Sequence, residues 1–132
     1  MSRPLSLRLL SQAFAIVHLP AGAGLPWWAA ASQGLLSFTR TPDETSLVCE
    51  VERIPPGTRA EYGYRAIRVL GTLPFGATGI VMSLAEPLSQ ARIPIFVIST
   101  FETDYLLLRE NEVDRAIEVL QRAGHTMSVS EA

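Results

Sequence analysis

The chain has 132 residues, 48% of them apolar and 18% charged, a globular balance with enough apolar material for one compact domain or two very small ones. Eleven Arg and no Lys stand against 13 acidic residues, so the net charge is -2 and the positive excess that suits nucleic acid or an anionic membrane is missing. Cys49 is the single cysteine, which excludes an intrachain disulfide and a cysteine metal cluster.

Arg3 and Arg8 precede an apolar stretch that ends near Ala21-Gly22-Ala23, the outline of a secretory signal. Ser11, Gln12 and His18 interrupt it, and Leu5–Leu10 and Ala13–His18 read instead as two strands, so a cytoplasmic protein is expected. No 18 uncharged apolar residues run together, and no membrane-crossing helix is predicted. A short helix follows over Pro26–Ser32, with Pro26 in its first turn. Trp27-Trp28 can serve a ligand, a core or an interface. The segment from Leu35 to Val51 reads as strand, turn and strand, with Cys49 a small hydrophobe rather than a nucleophile. After it, Val51-Glu52-Arg53-Ile54-Pro55-Pro56-Gly57 cannot be helical throughout. Tyr62 and Tyr64 are spaced to share one strand face.

Arg65–Leu70 is a predicted strand, and Gly71 to Gly79 a loop. Thr78 is a candidate N-cap for a helix whose apolar stripe is Ile80, Val81, Leu84, Leu88 and Ala91. Pro87 interrupts that helix and leaves the turn around Ser83 short of one hydrogen bond. Ile95–Ser99 and Tyr105–Arg109 form a hairpin whose apolar runs predict two central, covered strands. Asn111 is a candidate cap for a helix with Val113, Ala116, Ile117, Leu120 and Ala123 on one face, Glu118 and Arg122 paired on the other, and Gly124 at its end. His125 to Val129 can form a last strand, which completes β-α-β-β-α-β.

Shifting the first half by 60 residues lays Leu7 on Ile67, Thr39 on Ser99, Leu47 on Leu107 and Glu50 on Glu110. Two related α+β units are therefore expected, over 1–58 and 59–132, the first lacking its second helix. A unit short of one helix exposes a sheet face, so close packing of the two units or a homo-oligomer follows.

Enzyme signatures are scarce. His18 and His125 stand alone, and there is no nucleophile elbow, Walker loop or paired-His motif, so no catalysis, metal or cofactor is expected. Leu73-Pro74-Phe75-Gly76-Ala77-Thr78-Gly79 joins a strand to a helix start, where free N–H groups can cradle an anion. The same glycines can serve only a tight connection. Ser99-Thr100-Phe101-Glu102-Thr103-Asp104 places hydroxyls, a ring and carboxylates in one turn. Asp104 can receive an ammonium group there, or bond its own backbone in an Asx-type turn.

The stretches 73–81, 84–88 and 93–108, above all Ser-Thr-Phe-Glu-Thr-Asp-Tyr at 99–105, resemble the ACT domain family. More narrowly they are similar to small bacterial tandem-ACT proteins related to the animal cytosolic arginine sensor. The resemblance covers roughly Arg65 to Gly124 and more faintly Leu5 to Val51, and Pro87 matches a proline of the family's helices. It implies two ferredoxin-like units packed together, with an amino-acid ligand at the seam between units and a regulatory or sensor role. The loop would supply Phe75, Gly76, Thr78, Gly79 and Ile80. The turn would supply Ser99, Thr100, Phe101 and Asp104, the acid taking a basic group. A homo-oligomer or a regulated protein partner is the expected assembly. The rival expectation is an interaction or oligomerisation module with a vestigial pocket.

Overall fold

The computed structural model describes residues 4–71 and 79–129. In chain order it comprises β1 (Ser6–Leu9), β2 (Phe14–Leu19), α1 (Trp27–Ala30), β3 (Ser37–Arg40) and β4 (Thr45–Glu50). A 3-10 turn at Val51–Arg53 leads to β5 (Ala60–Val69) and α2 (Ile80–Gln90). Then come β6 (Phe96–Ser99), β7 (Asp104–Arg109), a 3-10 turn at Glu110–Glu112, α3 (Val113–Arg122) and β8 (Thr126–Val129). The mixed α+β class expected from the sequence is what forms.

The chain divides into two compact units, Gln12–Tyr64 and Met1–Ser11 with Arg65–Ala132, so β5 is shared between them. The boundary expected near residue 58 falls short of Tyr64, and the first eleven residues join the later unit. The pairing gives the reason. β1 is antiparallel to β5, with Leu7 opposite Val69, and parallel to β8, with Leu7 opposite Met127. It is thus not the opening strand of the first copy, as the repeat had suggested.

In the unit Gln12–Tyr64 the strands run in the order β3-β4-β2-β5. Val17, Leu47 and Cys49 share one face with Ala29 of α1, and Trp28, Phe38 and Ile54 pack against them. Trp28 is therefore core, whereas Trp27 is 82% exposed. The missing second helix is reduced to the 3-10 turn at Val51–Arg53, which Pro55 and Pro56 prevent from continuing. The expected alternation of Tyr62 and Tyr64 is broken. Phe14 faces Tyr64 but Ile16 faces Glu61, a β-bulge that accommodates Gly63 at φ 84.

In the other unit β7 pairs with β5 and β6, while β1 lies on the other side of β5 and carries β8. Leu7, Leu9, Ile67, Val69, Leu106 and Leu108 meet Leu84 and Leu88 of α2 and Ala116 and Leu120 of α3. Each buried leucine of this layer contributes about 1.5–3 kcal/mol. Three expectations need correction. β6 pairs only with β7 among the described strands, so Phe96 and Val97 are substantially exposed and only Ile98 is buried. Asn111 lies inside the 3-10 turn and Glu112 is the N-cap of α3, without a side-chain cap bond. Val81 of the expected stripe lies at the surface of α2. The Glu118–Arg122 pair is present, at 2.5 Å. Gly124 donates to Gln121 and His125 to Leu120, a Schellman ending at the glycine expected to close the helix.

Candidate functional site

The β6–β7 turn is built by Thr100. Its N–H donates to the Thr103 carbonyl at 2.8 Å, and its Oγ1 accepts the Thr103 N–H at 3.3 Å. The turn is therefore a threonine motif and not the Asx turn that was the alternative for Asp104. Asp104 opens β7 directly opposite Ser99, whose hydroxyl donates to Asp104 Oδ1 at 2.6 Å. Asp104 is only 9% exposed. One carboxylate oxygen is thus oriented by a charge-assisted bond, and the group retains further acceptor capacity.

Thr103 has no separate role in the sequence reading of this turn. It is buried, and its hydroxyl donates to the Val69 carbonyl at 2.5 Å. Val69 ends β5, and α2 is the next described element along the chain. The acid-bearing turn is thereby tied to the end of the strand that precedes α2 in the chain. The signal available in sequence was a second Thr immediately before the Asp.

Gly79 is the N-cap of α2, at φ 78, a left-handed backbone that L side chains rarely adopt. It carries no side-chain cap bond, so the first amides of an eleven-residue helix are left to other acceptors. Positive electrostatic potential collects there. Phe75, Gly76 and Thr78 lie outside the described residues, so neither their predicted contacts nor the Thr78 cap is placed. Ile80 is buried among the core residues, which assigns its side chain to packing and leaves only its backbone for a ligand. Ser99 and Thr100 are exposed beside Asp104, and Phe101 is 77% exposed. A cleft of about 380 Å³ lined by Ser89, Arg92, Ile93 and Ile95 lies at the far end of α2 and contains none of these residues.

The first hairpin repeats this turn, with its own acids at Asp43 and Glu44 but none at the position of Asp104. Thr41 N–H donates to Glu44 O at 2.9 Å and Thr41 Oγ1 accepts the Glu44 N–H at 3.1 Å, as Thr100 and Thr103 do. Arg40 faces Thr45 where Ser99 faces Asp104. A carboxylate that opens the second strand is therefore found in the later hairpin, and Thr45 is fully buried in its place in the first. Cys49 is buried too, and burial, followed by the nearby Glu50 charge, pushes its thiol up to about 11. At neutral pH it is a protonated hydrophobe.

Residues 59–122 match the family model of the ACT domain, and residues 12–57 match a second model described as an N-terminal domain. Over 60 residues the chain is 43% identical to the human (Homo sapiens) cytosolic arginine sensor for mTORC1 subunit 1. That stretch is 45% of this chain and 18% of the sensor, so the chain spans only a small part of that relative's length. The crystal structure of protein Atu0741 from Agrobacterium tumefaciens is 37% identical, with a TM-score of 0.92 over 99% of this chain and 97% of that one. The regulatory subunit of aspartate kinase from Thermus thermophilus shares the fold at 10% identity, with a TM-score of 0.59 over 90% of this chain and 93% of the subunit.

Proposed function

The chain belongs to the ACT domain family, and from that premise we propose that it binds an amino acid and acts as a regulatory or sensor protein rather than a catalyst. The ligand's carboxylate meets the first amides of α2, for which the N-cap Gly79 has no side chain to offer. Its basic group meets Asp104, which Ser99 orients. Thr100 lines the approach, and Phe101, exposed in the chain alone, closes over the ligand's aliphatic part.

One observation carries this reading. A nearly buried carboxylate sits in a turn that Thr103 fastens to the strand leading towards the start of α2. A cationic side chain suits such an acid, and the relative with 43% identity is an arginine sensor, so L-arginine is the first ligand to try. The protein works in the cytoplasm, and its output is a protein partner or a second copy of itself. No described helix is long and apolar enough to cross a membrane.

A calorimetric screen of the twenty amino acids tests the proposal. Saturable binding of a basic amino acid is the expected result, and no binding by any of the twenty contradicts it. A second reading, an interaction module with a vestigial pocket, is favoured by the exposed Phe96 and Val97 on the edge strand β6 and by the exposed Trp27. Size-exclusion chromatography with and without L-arginine separates the two. Assembly that ignores the amino acid belongs to the second reading.

A further inference from the structure

Pro87 has no N–H, so the carbonyl one turn before it, that of Ser83, loses the donor an α-helix would supply. His125 fills the vacancy. Its Nε2 lies 3.1 Å from the Ser83 carbonyl oxygen, and its Nδ1 accepts the Leu5 N–H at 3.1 Å. Because Nδ1 is an acceptor, the ring proton is assigned to Nε2, which donates to Ser83. His125 is only 3% exposed, and its backbone N–H donates to the Leu120 carbonyl at the end of α3.

Ser83 passes this anchorage to the start of α2. Its N–H donates to the Gly79 carbonyl at 2.8 Å, and its hydroxyl donates to the Ile80 carbonyl at 2.8 Å. The residue that meets His125 therefore also holds the N-cap and the first helical residue. A helix weakened by proline in its third turn would otherwise be free to shift its first turn against the sheet.

We propose that His125 is a positioning residue for the amino-acid seat. By supplying the donor that Pro87 lacks, it fixes the first turn of α2 and the amides that receive the ligand carboxylate. The inference rests on the reading of that helix start and Asp104 as the seat. It assigns a role in binding to a histidine that lies at the opposite end of the chain from Leu5, its other partner.

The test compares His125→Leu, His125→Gln and the double variant Pro87→Ala/His125→Leu in the full chain. Leucine removes both ring bonds. Glutamine keeps a donor and an acceptor. The Pro87→Ala change restores an in-helix donor for Ser83 without giving Leu5 an acceptor. L-Arginine affinity is expected to fall about tenfold in His125→Leu, the worth of one buried hydrogen bond, and to return to within about threefold in the other two. Amide exchange without arginine should show two N–H groups less protected in His125→Leu: that of Leu5, which loses its acceptor, and that of Ser83, whose bond to Gly79 reports the first turn. In the double variant the Ser83 N–H and the restored N–H at position 87 should be protected and that of Leu5 not.

Wild-type affinity in His125→Leu overturns the positioning role and leaves the proposed function intact. Affinity that stays low in the double variant although Ser83 is protected again overturns it as well, since packing loss then explains the defect. If the wild type binds no amino acid, the seat fails and the positioning role fails with it. A slowly exchanging ring Nε2–H of His125, observed by NMR, then still shows whether the bond to the Ser83 carbonyl exists. Should His125→Leu not fold, His125→Gln and the double variant carry the same comparison. Affinity in either one reduced tenfold with Ser83 protected contradicts the proposal.

Discussion

Ser99 and Asp104 face each other across the β6–β7 hairpin, the serine hydroxyl donating to Asp104 Oδ1 at 2.6 Å. The bond leaves a carboxylate of set orientation at the mouth of the turn. The equivalent places in the first hairpin are Arg40 and Thr45, so this chemistry is present in one copy of the turn and not in the other.

Thr103→Val removes the hydroxyl that ties this turn to Val69 while keeping the side chain's shape. The loss of a buried bond should lower stability by about 1–2 kcal/mol in urea denaturation. It should also weaken arginine binding, because the turn is no longer held at the end of β5. Unchanged stability would mean that the bond contributes nothing.

Burial, followed by the Glu50 charge, pushes the Cys49 thiol from the ordinary 9.0 up to about 11. The unfolded chain ionises this thiol first, so the contribution is complete below about pH 9 and is lost as pH rises towards 11. The urea midpoint of the wild type should fall more steeply between pH 9 and 10.5 than that of Cys49→Ala. Parallel slopes would show that the thiol is not desolvated. At pH 7.5 a thiol reagent should modify Cys49 only as fast as the chain unfolds.

Arg92 ends α2 at φ 60, where its N–H donates to Ser89 and the next N–H, that of Ile93, donates to Leu88. It occupies the place that glycine holds in α3, at Gly124. Arg92→Gly relieves the Cβ strain and should stabilise the chain by about 0.5–1 kcal/mol in the same denaturation assay. Destabilisation would show that the arginine side chain contributes packing in the cleft it lines.

The hydrophobic periods of α2 and α3 were legible in the sequence because each presents a 3.6-residue stripe to one sheet face. So was the truncation of the first unit, since Pro55-Pro56 forbids a helix. The repeat was visible but misread by one residue. Thr45 corresponds to Asp104 and Thr41 to Thr100, an offset of 59, and β4 and β7 then share one burial pattern through their first five positions. The offset of 60 paired Leu47 with Leu107, on the opposite sheet face from its true counterpart Leu106. Apolar content alone could not distinguish the two because both runs are apolar on both faces.

Long-range pairing was less legible. Nothing local in Ser6–Leu9 shows that it lies between β5 and β8, and nothing in Phe96-Val97 shows that, among the described strands, theirs pairs with β7 alone. The turn chemistry of Ser99–Asp104 marked the acid, but the hydroxyl-to-strand bond of Thr103 and the His125 bridge join residues 34 and 42 positions apart. Pro87 did point to an orphaned carbonyl at Ser83. Only the fold identified its donor.

Titration of L-arginine into wild type and Asp104→Asn by isothermal calorimetry tests the central claim most directly. Asparagine keeps the shape and an acceptor for Ser99 but removes the charge. The account predicts saturable binding to the wild type and an affinity at least about tenfold weaker in the variant. Equal affinity in the two proteins would contradict it.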